Sequence, residues 1–544
     1  MSQTNWNLLT QPLLHALPAG WVSLPGLLAC LARDEVDSFP ALRPHQAPAW
    51  HMFLVQLAAL ALHRAGTDQL PQTEPEWAQA LRGLTPEFPE DEPWCLVVED
   101  PSKPAFLQSP IPTGVQVEEP VETPDELDLL TTSRNHDLKR GIARSASTDD
   151  WIYALMCLQT MAPSGGGQGG YRQIARIKGG WSYRPFAGLA PLSSSSQGGC
   201  LRLGTSFQRD VRVLLTTRDD HYTAHDAYKG IGGIGLLWTP KWEEGQPLQL
   251  GELDIWFIEV ARRIRLHVDG EKLVGMKGTA KGPRVAAEQF SGDLGDPWAP
   301  VHINKEGKAE AFTLGLGELD YKRMSDLFIK GGDWVVPILA KHSSIDDDDA
   351  TFALSVHAFS HDKKGNSRGF RSRILPIGGK ISRALSIGHK REALHQLATK
   401  QVQEIEVFND ALRHSLALAA ASGNSEKCDK DKREKKKYYP HAMEAKTCFD
   451  HAVDAIFFDH LWKRYEAQEE GGDALKSEAE RFARELKDCS TAIFEASLPG
   501  IPCPSLYRPR AEARARSKFR SMIRFAFPEL FSSPNTEEDI NAFA

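Results

Sequence analysis

The 544-residue chain has no CxxC pair, and its eight cysteines, at 30, 95, 157, 200, 428, 448, 489 and 503, stand far apart. No His and Cys residues cluster at zinc-ligand spacing, so no metal is expected and the chain should fold without staples. Long apolar runs are missing as well. The longest, Phe53 to Leu62, is broken by Gln56 and flanked by His51 and His63, and it is short of the roughly 20 residues a membrane span needs. It reads as a buried helix, and no membrane partner is expected. The polar start, Ser2 to Asn7, lacks the basic and apolar segments of a secretory signal, which makes the cytoplasm the expected location. Neither GxxxxGK[ST] nor a strand-to-helix GxGxxG is matched, so nucleotide binding is disfavoured and no cofactor is expected. No fixed-period repeat is evident.

What the chain does have is an ordinary globular composition, 41% hydrophobic and 25% charged, in a length that exceeds what one hydrophobic core supports. Two or more domains follow. The formal charge of −8 hides segregation of the two signs. Acid dominates Glu87 to Asp128, while base dominates Arg134 to Arg144, Lys427 to Lys437 and Arg508 to Arg524, the last with Glu512 as its one acid. Local basic faces on an acidic body suit a protein that grips nucleic acid at chosen places.

Hydrophobic period divides the chain. From about Ala384 onward, apolar residues recur in steps of three and four, as at Leu394, Ala398, Val402, Ile405, Phe408, Leu412 and Leu416, which is one face of a helix. A second helix runs through Phe449, Val453 and Ile456. A third runs from Leu475 to Ile493, between Gly471-Gly472 and Pro499-Gly500, and a fourth covers Arg510 to Phe525. Residues 376–544 are therefore expected to form an all-α four-helix bundle, with 423–437 as a mobile charged linker. Residues 1–375 mix short helices, at 50–64 and 149–161, with strands at 253–268 and 351–359, and read as a large irregular α+β domain. The fold class expected is α+β. Asp346 to Asp349 reads as an exposed acidic loop.

Five segments carry candidate chemistry. The run Gly165, Gly166, Gly167, Gln168, Gly169, Gly170 removes side chains, so its backbone can approach another surface closely; a surface linker is the plainer reading. Arg134, Asn135, His136, Lys139 and Arg140 offer contacts for RNA bases and phosphates. They suit an ordinary solvated loop nearly as well. A metal-dependent nuclease or phosphohydrolase using His136 and Asp137 is the alternative function, although no further ligands at matched spacing accompany them. Lys277 and Lys281 lie in a glycine-punctuated stretch from Asp269 to Arg284, read either as a loop that carries a point charge into a groove or as a solvated hairpin. Lys364, Gly365, Asn366, Ser367 and Arg368 form the polar tip of an expected β-hairpin. Arg510, Arg514, Arg516, Lys518 and Arg520 point to phosphate binding, unless acids of neighbouring helices neutralise them.

With these segments in order, the chain resembles the large subunit of the type I-E CRISPR surveillance complex Cascade, the CasA family. The likeness is spread over nearly the whole length, through Asn7-Leu-Leu9, Leu57-Ala-Ala-Leu-Ala-Leu62, Asn135-His-Asp-Leu-Lys139, the glycine run, Leu237-Trp238, Asp296-Pro-Trp-Ala-Pro300 and the helical last quarter. The resemblance implies a non-catalytic subunit that recognises the protospacer-adjacent motif of double-stranded DNA from the minor groove, opens the duplex and nucleates an R-loop. It implies a glycine loop at Gly165 to Gly170, a lysine finger at Lys281 with Lys277 as second choice, and a hairpin wedge at Lys364 to Arg368. The wedge of the family can carry a glutamine, which is absent from this tip; Asn366 or Arg368 would take its place. Arg134 to Ser147 would meet the CRISPR RNA handle, and the helical bundle would guide displaced DNA. The implied partners are CRISPR RNA, target duplex, the backbone, small-subunit and handle-binding subunits of the complex, and the Cas helicase-nuclease.

Overall fold

The structure is a computed structural model, and it describes residues 6–115, 117–130, 146–163, 174–177, 182–193, 200–230, 232–243, 245–278, 284–330, 333–347, 349–431 and 436–531. The chain divides into two units, residues 1–319 with 332–386 and residues 320–331 with 387–544. The first is α+β and the second is helical.

In the first unit the apolar run around Phe53 does form a helix, α1 (Ala47–Ala65), which begins with a proline in its first turn and ends on Gly66 in the left-handed conformation. Both are the residues those positions favour, because proline lacks an amide a helix start would leave unpaired and glycine tolerates positive φ. Almost all of α1 is buried, as a helix apolar on every side must be. Around it pack α2 (Thr148–Met161), α3 (Leu203–Thr216) and the strand Leu253–Ile258. Trp50, Trp94, Trp151, Trp238, Trp256 and Trp298 belong to one continuous core, together with many leucines and alanines.

Three sheets frame that core. One is antiparallel in the order β1 (Val117–Val121), β7 (Lys272–Gly278), β6 (Arg263–Asp269). Another runs β9 (Ser367–Gly378), β8 (Thr351–His361), β2 (Phe186–Ser193), β3 (Cys200–Leu201). A parallel pair joins β4 (Ile234–Leu236) to β5 (Leu253–Ile258). The segment 253–268, expected as a single strand, is two strands, β5 and β6, interrupted at 259–262. Lys277, for which a loop and a solvated hairpin were both open, stands on β7, the second strand of a hairpin with β6. Asp346 is a second correction: its side chain is buried, and it accepts 2.9 and 2.8 Å hydrogen bonds from Arg209. A carboxylate offsets the cost of burying a guanidinium, and this one is drawn inward from an acidic turn.

The second unit holds α4 (Tyr321–Phe328), α5 (Gly388–Ala420), α6 (Ser425–Asp431), α7 (Met443–Glu470), α8 (Gly472–Ser497) and α9 (Arg508–Ala526). The four long helices are the expected bundle, with α5 against α7, α8 and α9. The apolar stripe read from the sequence is the buried face of α5, except that Val402 is half-buried. Some polar groups inside the bundle find partners there. Gln401 donates to the Phe457 carbonyl at 2.7 Å, and His460 sits between Glu478 at 2.7 Å and Glu485 at 3.2 Å. Where a mobile linker was expected, residues 425–431 form α6, with Cys428 buried beside Ala417, Ala421 and Tyr439. The apolar face of that short turn was masked in the sequence by the lysines around it. Residues 432–435 lie outside the described residues.

Candidate nucleic-acid interface

Gly165 to Gly170, Lys281 and Arg134 to Arg140, with His136 and Asp137 among them, lie outside the described residues. The chain on either side of each segment is described, and its anchoring is specific. The interruption between β5 and β6, Glu259 to Arg262, holds both feet of the glycine segment. Arg262 donates through its guanidinium to the Pro163 carbonyl at 2.9 Å, and its amide donates to Gln159 Oε1 at 2.7 Å. Glu259 accepts the amides of Ala175 at 2.5 Å and Arg176 at 3.2 Å. The two holding residues are three apart in sequence, so at most about 11 Å of backbone separates them.

This anchorage is built from buried charge. Burial pushes the Glu259 carboxyl up to about 7, against the pull of the two amides and of Arg176. Burial lowers the Arg176 guanidinium below its ordinary range; it lies 4.1 Å over the Phe257 ring and donates to the carbonyls of Phe257 and Ile255. Burial also lowers Arg262 to about 10, which leaves it a cation at neutral pH. Gln56, the polar break in the apolar run, is fully buried and donates to the carbonyls of Trp256 at 3.1 Å and Phe257 at 2.9 Å. Its own oxygen accepts Arg184 at 3.2 Å, and Arg184 forms a buried ion pair with Asp296 at 2.7 Å. Sequence reasoning missed Gln56, Glu259, Arg262 and Arg184. A polar residue alone in an apolar helix was the one available signal, since a buried amide must find partners.

The other two elements arrive at the same place. Gly278, the last residue of β7, pairs with Arg263, which directly follows Arg262. Lys281 follows Gly278 by three residues, and the segment returns at Arg284, whose buried guanidinium donates to the Leu237 carbonyl at 2.6 Å. Arg284 and Arg263 lie 5.2 and 5.6 Å from the centre of the Trp242 ring, so one indole carries both arginines that flank the lysine segment. Lys277 is held locally: its ammonium donates to the Glu126 carbonyl at 3.4 Å and lies 4.0 Å from Glu119.

The hairpin tip is tied through Tyr183 to the chain that follows the glycine segment in sequence: Tyr183 donates a 3.0 Å hydrogen bond to the Gly365 carbonyl. Burial pushes that phenol up to about 12, so it remains a donor. Within the tip, Asp362 accepts the amides of Lys364 at 2.8 Å and Asn366 at 3.0 Å, the Asn366 side chain at 3.0 Å and Arg368 at 2.6 Å. Its carboxyl is held well below the usual range, first by the Asn366 side chain. Gly365 takes φ 76°, a conformation open to glycine at little cost. Gly365 and Ser367 are buried, while Lys364, Asn366 and Arg368 face solvent together with Lys363, which the sequence pattern alone does not single out.

Helix α2 separates two of the candidate segments. It starts on the capping box of Ser147 and Asp150 and ends at Met161, and its 14 residues span about 21 Å. Asp128, before the former, is buried and binds His45 at 2.8 Å, Gln46 at 3.0 Å and Arg43 at 3.1 Å.

In the second unit, α9 buries Ala511, Ala515, Phe519 and Ile523, one stripe four residues apart. The arginines on its other faces are unequal. Arg516 is gripped by Glu495 at 2.9 Å and Glu512 at 3.4 Å, so acids of the bundle do neutralise it. Arg514 donates to the Gly423 carbonyl at 2.8 Å, and Arg510 to that of Ser422 at 3.3 Å. Lys518 and Arg520 are exposed, and their side chains make no hydrogen bond or ion pair among the described residues. Among the described residues, no group of three or more His, Cys, Asp or Glu side chains is placed to hold a metal ion, and no helix is long and apolar enough to cross a membrane.

No protein-family model matches the sequence, and no curated protein matches it. Solved structures do. The CRISPR-associated protein Cse1 from Acidimicrobium ferrooxidans superposes with a TM-score of 0.64 over 97% of this chain and 99% of its own, at 13% identity. The chain has the Cse1 fold. Cse1 from Thermobifida fusca gives a TM-score of 0.62 at 14% identity, over 97% of this chain and 100% of its own. CasA (Cse1) from Thermus thermophilus gives 0.58 at 14%, over 95% and 99%. The Cse1 fold thus accounts for both units, the α+β one and the helical one, with no large insertion on either side.

Proposed function

We propose that this chain is the non-catalytic large subunit of a type I-E Cascade complex, that it recognises the protospacer-adjacent motif in duplex DNA and promotes its opening. The observation that carries this reading is the convergence on Glu259 to Arg263. That segment holds both feet of the glycine run and pairs with the strand leading to Lys281, and Tyr183 ties the hairpin tip to the same region. A backbone without side chains, a lysine and a polar tip, brought to act together, suit a duplex groove. The first fits closely against it, the second supplies a point charge and the third presses between strands. Readout from the minor groove is degenerate, so several motif sequences should be accepted.

In this reading sequence is read by pairing of guide RNA with target, and the protein recognises the short motif and duplex shape. Residues 134–140 would contact the CRISPR RNA, Lys518 and Arg520 the DNA backbone, and other Cascade subunits and a Cas helicase-nuclease would be partners. Purification of the tagged chain from its own cells, followed by analysis of bound RNA and protein, tests the reading. Short CRISPR RNA and sister subunits are expected to co-purify, without cleavage of added duplex until a nuclease is supplied. Recovery of the chain alone, or metal-dependent cleavage by it, would overturn the proposal.

A further inference from the structure

The exposed side chains of the hairpin tip, Lys363, Lys364, Asn366 and Arg368, are all polar. They can meet phosphates and base edges, but none is an apolar group that could replace the stacking lost when a base pair is pulled apart. The turn Leu314-Gly-Leu-Gly-Glu318 places one beside the tip. Its Gly315 carbonyl accepts the Ser360 hydroxyl at 2.8 Å, and the His361 amide lies 3.3 Å from the carbonyls of both Leu314 and Gly315. His361 forms the last strand pair before the tip, with Ser367. Further from the tip, the Glu318 carboxylate lies 2.5 Å from the Arg371 guanidinium. Ser360 follows Phe359, against which Tyr183 packs, and successive strand residues face opposite sides. The turn and Tyr183 therefore grip the hairpin from opposite faces.

An exposed leucine is ordinary by itself. Leu316 is 70% exposed, and its mount distinguishes it. Leu314 and Leu319 are buried on either side of it and fix the turn. The fold does not demand Gly315 or Gly317, since neither has a positive φ. No atom lies within 4 Å of where a Cβ would stand at Gly315, and at Gly317 the nearest, on the Leu314 side chain, is 3.9 Å away. Bare backbone on both sides leaves the leucine clear, so that another molecule can close on it.

We propose that Leu316 is an apolar wedge that works beside the polar tip and lies against the face of a nucleobase where the duplex opens. The tip holds the parting strands through its charges and amides, and the leucine takes the place of the lost stacking partner. The inference rests on the duplex-opening reading above and adds to it a residue outside the hairpin.

Assembled complexes carrying Leu316→Asn or Leu316→Met test it on a duplex with a fluorescent aminopurine beside the motif, whose emission rises as the base unstacks. Leu316→Asn should slow opening by about tenfold and leave affinity for an already opened target unchanged. Leu316→Met keeps an apolar side chain of similar volume and should open the duplex near the parent rate. Both changes fall at an exposed position, so the fold remains. If the parent opens the duplex and Leu316→Asn does so equally fast, the proposal is overturned while the duplex-opening reading stands. Leu316→Met as slow as Leu316→Asn, or an equal loss on the opened target, would have the same meaning. A parent complex that opens no duplex would overturn both.

Discussion

The hydroxyl of Tyr183 donates a 3.0 Å hydrogen bond to the carbonyl of Gly365, and so ties the chain that follows the glycine run to the tip of the β8–β9 hairpin. Tyr183 also packs against Phe359 and His361 on the hairpin itself, with ring centres 5.2 and 6.0 Å away. In the proposed reading, this contact would give motif recognition and strand separation one mechanical link. Tyr183→Phe keeps the ring and removes the bond, at a cost of about 1 kcal/mol. Complexes carrying it should bind a pre-opened target normally and open a duplex more slowly, read by a fluorescent base beside the motif. Equal opening rates would show that the bond serves stability alone.

Asp362 organises the tip by accepting four hydrogen bonds from Lys364, Asn366 and Arg368. Asp362→Ala should free the Asn366 and Arg368 side chains together. Hydrogen exchange at the Lys364 and Asn366 amides is expected to accelerate by about tenfold or more, as local opening becomes cheaper, while the paired core of β8 and β9 stays protected. Unchanged exchange at those amides would remove Asp362 from this role.

Glu259 sets a pH dependence. Its carboxyl is raised to about 7 in the folded chain from an ordinary value of 4.5. Between those values the folded state holds more protons than the unfolded one, so this group's contribution to stability falls as pH rises from about 4.5 to 7. The whole change is on the order of 3 kcal/mol at most. Glu259→Gln removes the titration. Its stability relative to the parent should therefore rise across that window, and denaturant titrations of both chains at several pH values check the sign. A difference that does not vary with pH would contradict the assignment.

The arginines of α9 are predicted to be unequal. Arg516 is already paired with Glu495 and Glu512, so Arg516→Ala should leave the salt dependence of DNA binding unchanged. Replacing Lys518 and Arg520 should flatten the log–log salt slope by about 0.9 for each phosphate that is no longer neutralised. A slope insensitive to Lys518 and Arg520 would remove α9 from the interface.

These residues also mark what sequence could and could not reveal. The long helices of the second unit follow from one apolar stripe each, because burial of a stripe is a local property. The β8–β9 hairpin follows from two strand-like runs around a turn-rich tip for the same reason. What no period revealed is the work of Glu259, Arg262 and Arg184, whose partners lie 84, 99 and 112 residues away. The break between β5 and β6 was invisible because buried arginines and a buried glutamate do not disturb a strand-like pattern, yet their charges fix the feet of the glycine run. For Arg516 the sequence left phosphate binding and neutralisation by a neighbouring helix both open, and it could not show the partner, since Glu495 is on a different helix. The likeness to CasA proteins was spread over many short segments, and the Cse1 fold bears it out at the level of the backbone.

The most direct test is equilibrium binding of the assembled complex carrying Lys281→Ala to two targets, an intact motif-bearing duplex and the same sequence already opened. Groove reading by this lysine predicts a loss of about tenfold, or 1.4 kcal/mol, on the duplex, with affinity for the opened target unchanged. Equal losses on both, or none on the duplex, would contradict it.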